Sequence, residues 1–372
     1  MNAPVALIAR AGGPATGVGR YVVELQRALR AAGSVMADVV TPMPPLPYRL
    51  LRRVGLDAQA FFATYPIRAH YPHAAIYHFS SQNLASLLVV RPPRGPTVVT
   101  VHDIIPYVLG SYRTRTERWF DQLAMAGVQR AHWLVADSAA TRDALVQHLG
   151  IAPVRIRVVP LGIDHQRFRP LHDAEARARL GLRPDQRTIL YVGSEDPRKN
   201  LAMLIDALAR VRQHHDVVLL KVGRAHHLAV RAQLVAQIAA LGLTDAVRFL
   251  EDVADDVLPA IYTLADLSVM PSLHEGFGFP LLESMACGTS VVYSAASSLP
   301  ELAGDAGLAI APGPDMAQAT AAAITRLLDE PQLAAAQREA GIARAAHFTW
   351  RRTALMMQEI YAMAQHTNAG GS

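Results

Sequence analysis

Two glutamates eight positions apart, Glu275 and Glu283, stand in the segment His274-Glu275-Gly276-Phe277-Gly278-Phe279-Pro280-Leu281-Leu282-Glu283. The glycines and Pro280 predict a loop that turns into a helix, with the proline near the first helical position, where its missing N–H is tolerated. A helix start of this kind offers free backbone N–H groups and a partial positive charge, which suits phosphate. Glycine lets the backbone of Gly276 and Gly278 come close to a ligand. Glu275 stays in the loop, and Glu283 sits about one turn into the helix. A carboxylate presents acceptors only, which matches a diol. One glutamate can therefore hold a sugar while the other holds ribose hydroxyls. The plainer alternative is a surface glutamate and a glutamate that faces the helix dipole.

A second segment, Tyr191-Val192-Gly193-Ser194-Glu195-Asp196-Pro197-Arg198-Lys199-Asn200-Leu201, follows a β-branched run and opens another helical stretch. Arg198 and Lys199 place two cations beside a helix start, where solvated positive charge is unfavourable unless an anion is near. Lys199 and Lys221 are the only lysines of the chain. A diphosphate leaving group gains charge as its bond to a sugar breaks, and fixed cations stabilise that charge without a metal. Gly193 lies where the backbone would pass close to such a group.

Two further segments carry weaker signals. Val101-His102-Asp103-Ile104-Ile105-Pro106 ends an apolar run, so His102 and Asp103 fall at the carboxyl edge of a strand. His102 could hydrogen-bond a transferred sugar, and Asp103 could orient the imidazole or cap the following turn. A histidine at a strand end is often only structural. Ala11-Gly12-Gly13-Pro14-Ala15-Thr16-Gly17-Val18-Gly19-Arg20 joins the first strand to the first helix. Gly13 and Gly17 could approach phosphate or an acceptor, or could simply make a tight turn. The loop fails the dinucleotide fingerprint, because Val22 stands where its last glycine belongs. Ser138 reads as a helix N-cap. Cys287, before the capping Gly288, reads as packing.

These residues need a frame of strands with helices between them. Val5–Ala9, Ala75–Phe79, Thr97–Val101, Trp133–Ala136 and Arg155–Val159 are predicted strands. A second series runs Thr188–Val192, Val217–Val222, Ala246–Leu250, Leu267–Met270, Ser290–Tyr293 and Gly307–Ile310. Amphipathic stretches such as Val18–Arg30 alternate with them. Such alternation predicts parallel sheets covered on both faces. The break between the series lies near Pro160 to Arg187. It predicts a first domain over residues 1–165 and a second over 166–348, with a last helix from Thr349 (349–366) returning to the first.

Composition agrees. The chain has 372 residues, 51% of them hydrophobic, enough for two α/β cores. No run approaches the roughly 18 apolar residues of a membrane span. The first residues read as a strand, not a secretory leader, and Cys287 is the single cysteine, so no internal disulfide forms. The expected location is the cytoplasm. The net charge of +5 suits an anionic ligand or membrane surface. Arg49, Arg52, Arg53, Arg113, Arg115 and Arg118 could meet anionic headgroups on the inner face of the membrane, or make a solvated face. No metal-ligand spacing and no nucleic-acid signature are visible.

Taken together the segments resemble glycosyltransferase family 4, the retaining group with the GT-B fold. The likeness covers Thr16-Gly17-Val18-Gly19-Arg20-Tyr21, His102-Asp103, Pro160-Leu161-Gly162-Ile163-Asp164, Phe168-Arg169-Pro170, Gly193 with Arg198-Lys199-Asn200, and Phe348-Thr349-Trp350. Its most specific part is Glu275 and Glu283 with Gly276-Phe277-Gly278 and Pro280. The resemblance implies two Rossmann-like domains facing a central cleft, the first on the acceptor side and the second holding a nucleotide sugar. It implies that Arg198 and Lys199 hold the donor diphosphate and Glu283 the ribose. Glu275, with the backbone of Gly276, Phe277 and Gly278, would hold the donor sugar, and His102 would lie beside it. It implies transfer to a glycan or lipid-linked acceptor with retained configuration, no metal and no cofactor beyond the donor. The opening segment and His102-Asp103-Ile104-Ile105-Pro106 look most like bacterial mannosyltransferases of O-antigen and capsule assembly, with GDP-mannose as donor. One departure is Glu195 and Asp196, two carboxylates that would repel a diphosphate unless they point away.

Rival functions are a nucleotide-sugar epimerase or a phosphorylase on the same architecture, and a non-catalytic nucleotide-sugar-binding scaffold. A phosphorylase would need a lysine for pyridoxal phosphate, yet Lys199 is better placed as a phosphate clamp and Lys221 lies within a strand.

Overall fold

The computed structural model describes residues 4–10, 17–41, 71–112, 114–171, 175–225 and 228–369. The chain divides into two compact units, one running to Gly162 and taking in the chain from Trp350, the other spanning Ile163–Thr349. Each is a parallel sheet with helices between its strands, as the alternating pattern predicts.

In the first unit the elements are β1 (Val5–Arg10), α1 (Gly17–Ala31), β2 (Met36–Thr41), β3 (Ile76–Phe79), α2 (Ser86–Val90), β4 (Thr97–Val101), α3 (Ile105–Leu109), α4 (Arg115–Arg130), β5 (Trp133–Ala136), α5 (Ala139–Leu149) and β6 (Ile156–Val158). The sheet order is β2-β1-β3-β4-β5-β6, every pairing parallel. Ile8, Phe79, Val99, Val101 and Leu134 from its strands pack with Val128 and Leu145 from α4 and α5. β2 escapes a pattern search because Ala37-Asp38 interrupts its apolar run; pairing with β1 supplies what local pattern does not.

In the second unit follow α6 (Ala176–Arg179), β7 (Arg187–Val192), α7 (Leu201–Val211), β8 (Val217–Val222), α8 (Leu228–Ala240), β9 (Val247–Leu250), α9 (Leu258–Leu264), β10 (Leu267–Met270), α10 (Phe279–Ala286), β11 (Ser290–Ser294), α11 (Leu299–Ala303), β12 (Leu308–Ile310), α12 (Met316–Asp329) and α13 (Pro331–Ala345). The order is β12-β11-β10-β7-β8-β9. The chain winds outward from β7 through β8 to β9, then returns to lay β10 on the other side of β7. That reversal is the topological switch point of a doubly wound sheet, where ligands bind at the carboxyl ends of the strands. Leu201, Leu204, Ile205, Leu208 and Val211 bury one stripe of α7 at helical spacing.

The last helix, α14 (Trp350–Ala369), belongs to the first unit. Gln358 donates to Ala32 C=O and sits 2.9 Å from the Ser34 hydroxyl. Thr353 donates to Pro160 C=O. The units part slightly before residue 165 because Ile163 N–H donates to Phe348 C=O and Ile163 bridges to Thr349, which ties Ile163 into the second unit.

Candidate functional site

The two strands beside the switch point of the second unit, β7 and β10, pair through Leu190 and Ser268. Their carboxyl ends therefore emerge as neighbours. The turn after β7 carries Arg198 and Lys199; the loop after β10 carries His274 and Glu275. Leu273 N–H donates to Arg198 C=O at 2.8 Å and joins the two segments.

Their side chains meet. The Glu275 carboxylate turns Oε1 to the Lys199 ammonium in a short contact, and Oε2 to Arg198 Nη1 at 3.7 Å. Arg198 Nη1 also donates to His274 C=O at 2.8 Å. Glu275 is 7% and Lys199 14% exposed, so this pair is largely shielded from solvent. The Glu275 backbone is held as well. The Ser297 hydroxyl accepts Glu275 N–H at 3.2 Å and donates to Glu275 C=O at 2.6 Å. Ser297 is one of two non-glycine residues with positive φ among the described residues, the kind of strain that collects at functional sites.

The loop then enters α10 through Gly278, whose φ of 116° is open to glycine and strained for other residues. A β-carbon there would stand 2.9 Å from Leu299 Cδ2. Pro280 lies in the first turn of α10. Glu283 follows in the buried body of the helix, and its Oε2 accepts the Tyr262 hydroxyl at 2.9 Å. Phe277 is buried against Phe279 and Phe348, while its carbonyl accepts Ser298. Its side chain is packing.

Glu195 and Asp196 do not face the cations as free charges. Asp196 Oδ1 accepts Arg198 N–H at 3.1 Å and caps the turn. Glu195 is buried and contacts Lys221 Nζ at 2.7 Å and the Arg231 guanidinium through both oxygens. Burial alone would raise this carboxyl, but hydrogen bonds from Arg231 and Lys221 outweigh it and hold the group below the usual range. Glu195 thus points away from the two cations, while Asp196, 39% exposed, keeps Oδ1 3.7 Å from Arg198 Nε.

In the first unit Val101 pairs with Ala136, so the next residues, His102 and Asp137, sit side by side at the sheet's edge. His102 Nδ1 lies 2.5 Å from Asp137 Oδ2, and Nε2–H donates to Ser80 C=O at 2.9 Å. Protonation of Nδ1 as well as Nε2 would make the ring an imidazolium. Burial opposes that charge, but Asp137 prevails and raises the pKa. Of the two roles read for Asp103, orienting the imidazole or capping the following turn, the structure shows the second: it accepts Ile105 N–H at 3.1 Å. Tyr21 meets His102 edge-on at 4.9 Å. Asp137 was invisible to a local search, because its closeness to His102 comes from strand register and not from sequence distance.

Gly13 lies outside the described residues, and Gly17 opens α1. Ser138 accepts Thr141 N–H as the cap of α5. Cys287 is buried, and burial pushes its thiol up to about 12, so it packs as a neutral group. Arg49, Arg52, Arg53 and Arg113 also lie outside the described residues; Arg115 and Arg118 are exposed on α4 next to Trp119, which is 55% exposed. Among the described residues no three His, Cys, Asp or Glu side chains gather as a metal would require, and no helix is long and apolar enough to cross a membrane.

A doubly wound parallel sheet of this order, with cations and carboxylates at its switch point, is a Rossmann-type unit. The particular family follows from comparison. Residues 15–167 match the model of Glycosyltransferase Family 4, and residues 172–344 that of Glycosyl transferases group 1. The chain belongs to the family 4 glycosyltransferases of GT-B fold. A D-inositol 3-phosphate glycosyltransferase of Geodermatophilus obscurus is 36% identical over 66% of this chain and 55% of that protein. An MMP alpha-(1->4)-mannosyltransferase of Mycolicibacterium hassiacum is 32% identical over 66% of this chain and 58% of its own. The chain thus spans little more than half the length of these curated relatives. Among solved structures, sucrose-phosphate synthase from Thermosynechococcus elongatus superimposes with a TM-score of 0.75 at 26% identity, over 97% of this chain and 98% of that one. Anabaena HepE in complex with UDP and glucose gives 0.74 at 21% identity, over 97% and 100%, and shows the shared fold.

Proposed function

We propose that the chain moves a sugar from a nucleotide-sugar donor to an acceptor hydroxyl, with retained anomeric configuration and without a metal. The observation that carries this reading is the Glu275 carboxylate lying against both Arg198 and Lys199 at the β7–β10 switch point. A diphosphate entering there takes the place of Glu275 before the two cations, and Glu275 turns its acceptors to the sugar hydroxyls. Glu283 binds the ribose. As the glycosidic bond breaks, its electron pair goes to the β-phosphate oxygen, and the cations stabilise the growing charge. The acceptor oxygen attacks on the face the phosphate leaves, and a phosphate oxygen takes its proton, so no protein nucleophile is required. Support for mannose comes from the mannosyltransferase among the relatives, and GDP-mannose is the donor proposed first. The first unit serves the acceptor, a glycan or lipid-linked sugar in surface polysaccharide assembly.

The test is a thermal-shift panel of GDP, UDP and ADP and their mannose and glucose conjugates, run with and without excess EDTA. A bound ligand stabilises by mass action, about 2.7 kcal/mol at a hundred times its Kd. Stabilisation by GDP above UDP and ADP, unchanged by EDTA, is the expected result. Stabilisation only with added manganese contradicts the metal-free reading. No response to any nucleotide contradicts the transferase reading.

A further inference from the structure

The charges around β7 continue below the clamp. Glu195 lies in the same turn as Arg198 and Lys199, yet its carboxylate points into the protein. There it meets Lys221 from β8 at 2.7 Å and Arg231 from α8, whose Nε lies 2.9 Å from each oxygen. Arg231 in turn pairs with Glu251 at 2.7 Å and stacks 4.0 Å over Phe249. Both Glu195 and Lys221 have side chains at 0% exposure. Apolar side chains of similar volume often serve a core as well as a buried ion cluster does, so stability alone does not explain this one. What it does is tie one turn to two other elements through directional bonds.

Other contacts restrain the same turn. Gly193 N–H donates to Val222 C=O, and Tyr191 donates to Ser194 C=O at 2.7 Å. Gly223, at φ 119°, passes so close that a β-carbon on it would stand 2.7 Å from Gly193 O. Lys199 N–H closes the turn on Asp196 C=O at 2.8 Å. Within this set Glu195 is the one side chain that links the turn to both β8 and α8.

We propose that Glu195, Lys221 and Arg231 are positioning residues for the diphosphate clamp: the buried carboxylate fixes the turn so that Arg198 and Lys199 are aimed before the ligand arrives. The proposal rests on reading those two cations as the clamp. Preorganisation of this kind matters because a displacement of about 1 Å can cost on the order of a hundredfold in rate.

The probes are inorganic pyrophosphate and GDP, titrated calorimetrically into the full chain. The paired substitution Glu195→Gln with Lys221→Met leaves no lone buried charge, so the fold is expected to survive by circular dichroism. Pyrophosphate affinity is expected to fall about 10- to 100-fold. Adding Lys199→Ala to that pair is expected to cost little more, since coupled residues are non-additive. Arg231→Met, at the partly exposed edge of the cluster, guards against loss of the fold. It is expected to weaken pyrophosphate several-fold and to shift the backbone NMR signals of Arg198 and Lys199 while those of β10 stay in place. Wild-type affinity in the folded paired variant, or in Arg231→Met, overturns the positioning role. Lys199→Ala with unchanged pyrophosphate affinity, or no binding by the unaltered chain, overturns the clamp reading and this proposal with it.

Discussion

Glu275 occupies, within its own fold, the place its ligand is proposed to take. Each carboxylate oxygen faces one cation, Oε1 to Lys199 and Oε2 to Arg198, much as two phosphate oxygens would. Two effects of Glu275→Gln then separate in sign. Without the competing charge, GDP is expected to bind about 3- to 10-fold more tightly, in keeping with ~1 kcal/mol for a partly screened pair. Transfer is expected to fall about 10- to 150-fold, because the sugar loses a charged acceptor worth about 1.5–3 kcal/mol. Calorimetry with GDP and turnover with the nucleotide sugar measure the two. Weaker GDP binding by this variant would show that the carboxylate does not compete with phosphate. Residue types alone pointed to Arg198, Lys199 and the two glutamates, because charge beside a helix start needs a partner. They could not show that Glu195 turns inward, since its partners Lys221 and Arg231 lie on other elements.

At the scale of elements, register decides what composition leaves open. Parallel pairing of β4 with β5 brings Asp137 to His102, a closeness no spacing rule contains, while the tempting neighbour Asp103 only caps a turn. Strands and helices were legible because buried parallel strands are continuous apolar runs. The interrupted β2 was not. The same sheet buries a second histidine. His78 of β3 lies 2.8 Å from the Tyr361 hydroxyl of α14 and 2.8 Å from the Thr100 hydroxyl of β4. Burial, with His102 adding, takes its pKa down to about 3. Between the ordinary value of a histidine and that one, the unfolded chain carries a proton the folded unit refuses. Stability must therefore fall as the medium is acidified from about pH 6.5, by up to ~1.4 kcal/mol per pH unit. His102 works in the other sense: its raised pKa adds stability at low pH that is lost as pH rises through the folded value. Hydrogen exchange of the β3 and β4 amides across pH 4–8 (a range of about four units) measures both. His78→Asn is expected to flatten the acid limb, and Asp137→Asn the alkaline one. An acid limb untouched by His78→Asn would assign it to carboxylates instead.

At the scale of the whole molecule, two doubly wound units carry different duties, nucleotide in the second and acceptor in the first, on the reading proposed above. If that acceptor is lipid-linked, the exposed Trp119 beside Arg115 and Arg118 is suited to a headgroup layer, where indole and guanidinium both settle. Flotation with vesicles containing anionic phosphatidylglycerol is expected to carry the protein, and Trp119→Ala to weaken that attachment several-fold. Equal recovery of both proteins with the vesicles would remove Trp119 from the account.

The chain holds only two lysines, and they differ in reach: Lys221 is sealed inside the second unit, while Lys199 keeps 14% of its side chain open. An amine-selective acylating reagent therefore has one internal address, and it is the proposed clamp. Intact-mass spectrometry of briefly acetylated protein, followed by peptide mapping, would count occupancy of that address directly. Nucleotide should shield it. Modification of Lys199 that proceeds equally fast with and without saturating GDP would mean the ammonium never meets the phosphates.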